Sequence, residues 1–284
     1  MRCILRWLGV AVGAIVGLAV LAFLFVWFAG GRIVDRFYEV PESTFIANPS
    51  IANVQEGRRA ALLRGCYKGC HGDGLEGAEF VDSVMFGKFS APDLTIAFAE
   101  MSDSELDLVI RYGIRRDGKS TILMPSASFH HLSDDDFNNI TAFIRNQPKT
   151  DGPSLEAYAG PMLRFLLWRR IFLPNAQNVR ENAPWINDGA TDQMLAKGEY
   201  LVRTICTECH GTDLTGFPDF TPPLVAAKAY SAEDFALLMR KGIAVGGREL
   251  DLMGDMARRR FVNFTDEEVE AVHAYLITLA DADG

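Results

Sequence analysis

Two short runs set a pair of cysteines directly before a histidine: Cys66-Tyr67-Lys68-Gly69-Cys70-His71 and Cys206-Thr207-Glu208-Cys209-His210. The second has the Cys-x-x-Cys-His spacing of c-type haem attachment, in which two thiols add across the vinyl groups of one haem and the adjacent imidazole turns onto the iron. The first has one extra residue between its thiols, so its backbone must bulge to bring both sulfurs to one ring. The pattern predicts two covalently bound haem c groups, which carry the chemistry while the protein holds and tunes them.

Three other uses of paired cysteines fit less well. A thioredoxin-like pair needs a strand before it and a helix after it, whereas here a helical segment leads in. A zinc site needs further ligands at short spacing, and the other histidines are His130, His131 and His273. A plain disulfide leaves the following histidine unexplained in both copies. Of the five cysteines, four fall in the two motifs and Cys3 is left over. No pair remains for stapling, so a large covalent haem would fill the core of each small domain.

From Trp7 to Gly31 the chain runs 25 residues without a charge, ending in the aromatic stretch Phe25-Val26-Trp27-Phe28. A helix of about 20 residues crosses a bilayer core of about 30 Å. The apolar region of a cleaved signal is usually shorter, about 7–15 residues, so an uncleaved transmembrane anchor is expected over 7–31. Arg2 and Arg6 precede it and favour a cytoplasmic N-terminus; Arg32 and Arg36 weigh mildly against that. Haem c attachment outside the bacterial cytoplasmic membrane settles the expectation: single-pass in the inner membrane, with the haem domains facing the periplasm. The chain carries 28 Lys and Arg against 37 Asp and Glu. That balance argues against nucleic acid and suits protein partners with basic patches.

The body repeats. Gly57 to Leu63 before the first motif matches Gly198 to Thr204 before the second. Ser102, Glu105 and Gly113 are mirrored by Ser231, Asp234 and Gly242, a capped helix start followed by a glycine stop. Final helices open at Ser133 and Thr265, with apolar residues at helical spacing: Phe137, Ile140, Ile144 and Val269, Val272, Leu276. No strand alternation stands out, and the body reads as all-α.

Each half resembles the small mono-haem cytochrome c domain, and the whole resembles the membrane-anchored dihaem cytochromes c of bacteria. In the first half the resemblance rests on Arg64-Gly65-Cys66, Cys70-His71-Gly72, Ala91 to Thr95, Arg111-Tyr112-Gly113, Asp117-Gly118, Met124-Pro125 and Leu132-Ser133-Asp134. It implies an all-α fold of two tandem cytochrome c-like haem domains, 50–148 and 190–282, after the N-terminal transmembrane helix and joined by a linker over 149–189. His71 and His210 would be proximal iron ligands, and Met124 the distal ligand of the first haem. For the second haem, counting forward from Arg111/Arg240 selects Met253, while counting back from Ser133/Thr265 selects Met256; Met253 is favoured. The resemblance also implies that Pro92, and Pro222 or Pro223, present a carbonyl to the proximal imidazole. Gly57 and Gly198 would let the first helix cross closely against Phe143 and Tyr275. Arg111 and Arg240 either pair haem propionates or lie exposed on their helices.

Within the linker, Pro161 to Pro174 is apolar with three arginines. It is expected as a helix packed between the two domains, with a seat at the membrane interface as the alternative. A methionine-closed iron suits electron transfer, whereas an open one suits gas or peroxide chemistry. The expected function is therefore a single-electron carrier, not an enzyme, though it could serve within an oxidoreductase complex. It would take electrons from a dehydrogenase or quinol-oxidising complex and pass them to a soluble cytochrome or terminal oxidase. The alternatives are a dihaem peroxidase with one open haem, and a haem-bearing subunit or gas sensor.

Overall fold

A computed structural model describes residues 2–152, 157–183 and 191–282. Parts of the expected linker, and the first residue expected for the second domain, Ala190, lie outside the described residues.

The chain opens with α1 (Arg2–Val34), whose apolar side chains stand uncovered from Ile4 to Phe25. In the first half, α2 (Val54–Leu63) starts at Asn53, whose side chain accepts from the amides of Gln55 and Glu56. A hairpin of β1 (Ala78–Ser83) and β2 (Gly87–Ala91) follows, then α3 (Leu94–Glu100), α4 (Asp103–Arg111), the short α5 (Ser126–Phe129) and α6 (Asp134–Arg145). Ser102 and Glu105 form a reciprocal capping box on α4, and Ser133 caps α6.

The core of this half gathers Ala60, Leu94, Leu106, Phe137 and Ile144 around the crossing of α2 and α6. The crossing is close because Gly57 has no side chain: a Cβ there would land on the carbonyl of Asn139 and press on Phe143.

Next come β3 (Tyr158–Ala159), α7 (Pro161–Trp168) and α8 (Asn175–Asn182). The second half repeats the plan. α9 (Gln193–Leu201) runs through a π turn (Val202–Cys206) into α10 (Thr207–His210), and a 3-10 turn (Leu224–Ala229) leads to α11 (Ala232–Lys241), α12 (Leu252–Arg259) and α13 (Asp266–Ala282). α9 crosses α13 at Gly198, where a Cβ would strike the Ala271 carbonyl and crowd Tyr275. Both glycine crossings fall where the sequence places them.

Three features differ from expectation. The fold is mostly helical but holds a three-stranded antiparallel sheet, with β2 between β1 and β3. The residues β2 buries are Gly87, Phe89 and Ala91, so two of its three inward positions are too small to register as hydrophobic alternation. A register shift between Glu79 and Val81 breaks the period of β1.

Second, α7 is not wedged between the two halves. It lies against the end of α1 and the hairpin: Arg164 donates from Nη1 to the Trp27 carbonyl and from Nε to that of Ala159, each at 2.9 Å. Leu163 and Leu167 pack with Phe89, Ile33 and Val34.

Third, Arg111 and Arg240 are not exposed, and both are held by groups of the protein itself. Arg111 is buried between Asp107 and Asp134. Arg240 braces the carbonyls of Phe261, Val262 and Phe264 and pairs with Asp266.

Candidate haem sites

The second motif is one continuous helical path. The π turn widens the helix by one residue and ends on Cys206, and α10 then carries Cys209 and His210 along one short stretch to Gly211 at φ 78°. Helical spacing puts Cys206 and Cys209, three residues apart, on the same side.

The first motif takes another route. α2 ends at Leu63, Gly65 turns at φ 71°, and Lys68 sits in the left-handed region at φ 55°. The extra residue is absorbed in a small loop in which the Cys70 amide bonds the Gly65 carbonyl at 3.0 Å and the Lys68 amide bonds the Gly72 carbonyl at 3.1 Å. This is the bulge the spacing requires.

Beyond the cysteines the two halves use the same backbone scaffold. Gly72 and Gly211, Leu75 and Leu214, and Gly77 and Gly216 all have positive φ. The amides of Gly77 and Gly216 bond the carbonyls of His71 and His210, each at 2.9 Å. Those of Leu94 and Leu224 bond Leu75 and Leu214 at 2.8 and 2.9 Å. The scaffold brings one proline carbonyl onto each imidazole: His71 Nδ1 lies 2.9 Å from Pro92 O, and His210 Nδ1 lies 2.8 Å from Pro222 O. A carbonyl can only accept, so Nδ1 carries the proton and the Nε2 lone pair is free for a metal. Loss of solvent lowers the pKa of both rings against the opposing pull of these hydrogen bonds, which favours the neutral, ligating form.

The loops that follow α4 and α11 also match. Ile114 pairs with Ser120 as Ile243 does with Glu249, and the Thr121 and Leu250 amides return to the carbonyls of Gly113 and Gly242. Three residues beyond each of those amides stand Met124 and Met253. Met256 lies one turn further along α12, and both of these methionines are partly buried against the core of the second half. The sulfur of Met256 is engaged by Arg260 Nη1 at 3.8 Å. The extra residues of the second loop are taken up in α12, which is longer than its counterpart α5.

In the first half Cys66, Cys70, His71 and Met124 line one mainly apolar cavity of about 390 Å³. Burial pushes the Cys66 thiol up to about 11 and Cys206 up to about 12, so with nothing bound these sulfurs rest as neutral thiols. Among the described residues no cluster of three His, Cys, Asp or Glu side chains could hold a bare ion. Thiols, a ligating imidazole and a thioether around an apolar space fit a haem. His130 and His131 stand elsewhere: His130 bonds the Arg111 carbonyl through Nδ1 at 3.0 Å and packs edge-on to Tyr112.

The sequence did not reveal how the halves join. Arg64, buried at the end of α2, pairs with Asp136 at 2.8 Å and reaches Tyr200 Oη of the second half at 3.1 Å. Arg260 of the second half donates to the Leu63 carbonyl of the first. Ser128 and Thr207 share a buried hydrogen bond of 2.9 Å. The two attachment motifs therefore face one another across this contact, and Glu208 of the second lines the cavity of the first.

Residues 195–280 match the family model of cytochrome c. This stretch is a cytochrome c domain. With it come haem, iron and electron transport, and the apolar α1 fits a membrane. The chain is also 26% identical, over 268 aligned residues, to the cytochrome c subunit of the quinone alcohol dehydrogenase of Gluconacetobacter polyoxogenes, and equally to that of Komagataeibacter europaeus. Each alignment covers 80% of this chain and 56% of the relative, so the chain spans about half the length of these relatives.

Proposed function

We propose that the chain is a membrane-anchored dihaem cytochrome c that carries single electrons, with haem domains over 50–148 and 190–282. The carrying observation is the repeated scaffold: both histidines are followed by the same positive-φ turn and both meet a proline carbonyl through Nδ1. Cys66 and Cys70 would hold the first haem and Cys206 and Cys209 the second, each through two thioether bonds. His71 through Nε2 and Met124 through its sulfur would hold one iron, and His210 and Met253 the other. Met253 is preferred over Met256 because it keeps the register of Met124 from the preceding turn, and because Arg260 occupies the sulfur of Met256.

Bound haem supplies a one-electron couple whose potential rises with methionine ligation. The chain's own residues fix the imidazoles, line the first cavity with mainly apolar side chains and hold the two motif turns against each other. Adjacent haems would let an electron pass between the halves. The relatives named as dehydrogenase subunits support a dehydrogenase complex as donor, with a soluble cytochrome or terminal oxidase as acceptor. The anchor would be α1, single-pass in the bacterial inner membrane with the body in the periplasm.

A carbon monoxide difference spectrum of the dithionite-reduced, full-length protein tests this reading. No carbon monoxide binding is expected, because protein ligands close both irons. Binding at either haem would replace the carrier with a peroxidase or gas sensor.

A further inference from the structure

α7 and the β1–β2 hairpin share an apolar surface that nothing else in the described chain covers. At the hairpin tip Val84 is 85% exposed and Met85 is 53% exposed. The tip is tied to the start of α7, because the Met162 amide donates to the Met85 carbonyl at 2.8 Å and the Gly160 amide to that of Phe86 at 2.9 Å. On α7, Leu163 and Leu167 turn inward while Met162 and Phe165 turn out, and Ile171 just beyond is 68% exposed. Scattered apolar residues are ordinary on a protein surface, but a continuous set is not.

This set continues into the apolar helix. Phe165 packs on Trp168 and Trp168 meets Phe25 of α1 edge-on at 5.5 Å. Arg164 is stacked over the Trp27 ring at 4.1 Å. α7 crosses α1 at Gly30, where a Cβ would run into the backbone of Arg164. At about 1.5 Å of rise per residue, the first 20 or so residues of the uncharged run fill the hydrocarbon core. The crossing therefore stands at the level where the helix leaves the bilayer. Exposed arginines flank this crossing: Arg32 and Arg36 follow the span, and Arg169 and Arg170 follow α7, with Arg170 paired to Glu181 at 2.6 Å. Arg169 lies over the Trp168 ring, its stem along the apolar face and its charge outward.

We propose that the hairpin tip and the outer face of α7 form a membrane seat: Val84, Met85, Met162, Phe165 and Ile171 enter the acyl–headgroup boundary while the arginines meet lipid phosphates. This inference rests on the reading of α1 as a membrane anchor. The occupant is lipid because the patch continues the apolar surface of α1 and carries basic residues at the headgroup level of an otherwise acidic chain. The same hairpin contributes Phe80 and Phe89 to the first haem cavity. The seat thus holds that cavity beside the bilayer and leaves the second half to face other partners.

The test uses the full-length haem-loaded protein in nanodiscs of phosphatidylethanolamine and phosphatidylglycerol containing a phospholipid with a diazirine in its acyl chain. Adducts are mapped by peptide mass spectrometry after illumination. The seat predicts adducts on the 84–85 and 162–171 peptides as well as on 7–31. It also predicts that V84E/M162E lowers the former at least tenfold, with the haem spectrum and the α1 adducts unchanged. Adducts on α1 alone would overturn the seat and leave the anchor standing. Absence of adducts from α1 as well would overturn both.

Discussion

Arg260 donates from Nη1 to Glu208 Oε2 at 2.9 Å, while its Nε holds the Leu63 carbonyl at the end of α2. One buried guanidinium thus joins the middle of the second attachment motif to the approach of the first. Burial raises the pKa of Cys66, Cys70, Cys206 and Cys209, and the Arg260 charge opposes that rise at all four, so it sits within electrostatic reach of both sites. Its Nη2 is buried without a protein partner.

On the proposed dihaem reading, this cation would favour the electron-rich state of both irons. Arg260→Gln is expected to lower both midpoint potentials, and Arg260→Lys to restore most of the shift because it returns the charge. Potentiometric titration followed at the haem absorption bands measures this. Movement of one potential alone would mean that the charge serves one site.

Glu268 ties the halves from the other side. It accepts from Arg59 Nη1 at 2.6 Å and closes a capping box with Thr265 at the start of α13. Burial of the carboxyl pushes its pKa up. The hydrogen bonds from Arg59 and the Thr265 amide, with the Arg59 charge, outweigh that and hold it below the usual glutamate range. A carboxyl depressed on folding stabilises the fold above its unfolded pKa and ceases to do so as pH falls through the folded one. Stability from this contact should therefore be full at neutral pH and decline below about 4.5. Glu268→Gln is expected to cost roughly 1–3 kcal/mol at pH 7 and to flatten that part of the acid profile, as read by denaturant titration at several pH values.

Gly57 and Gly198 occupy equivalent helix crossings. Alanine at either position must push helices apart against a backbone carbonyl, a cost of roughly 1–3 kcal/mol. A neighbouring solvent-facing change such as Arg58→Ala should cost far less. Thermal unfolding of the three variants checks the ranking.

Removal of a ligating sulfur should open its iron. Met124→Ala and Met253→Ala are each expected to create carbon monoxide binding at one haem, while Met256→Ala leaves both closed. Carbon monoxide binding by Met256→Ala and not by Met253→Ala would reverse the assignment in the second half.

Local rules carried the reading where chemistry and backbone are set within a few residues. The serine and threonine caps follow from short patterns; the glycine crossings and the proline carbonyls on the imidazoles came with the family resemblance, which left Pro222 and Pro223 both open, and Pro222 is the one in place. The hairpin was hidden because β2 turns Gly87 and Ala91 inward. The site of α7 depended on a tertiary contact with Arg164, which no periodicity encodes. For Arg111 and Arg240 the sequence left propionate pairing and exposure both open, because a helix arginine can reach many carboxylates and carbonyls; the partners found, Asp134 and the Phe264 carbonyl, lie 23 and 24 residues away in sequence. Arg260 closes a triplet of arginines from Arg258, and nothing in that run distinguishes the one that turns inward.

Intact mass spectrometry of the denatured, fully matured chain tests the central claim most directly, because thioether-linked haem survives unfolding. Two haem masses per chain are predicted, with adducted peptides spanning Cys66–Cys70 and Cys206–Cys209. A single haem mass confined to Cys206 and Cys209 would contradict the dihaem account and leave the first cavity without its proposed occupant.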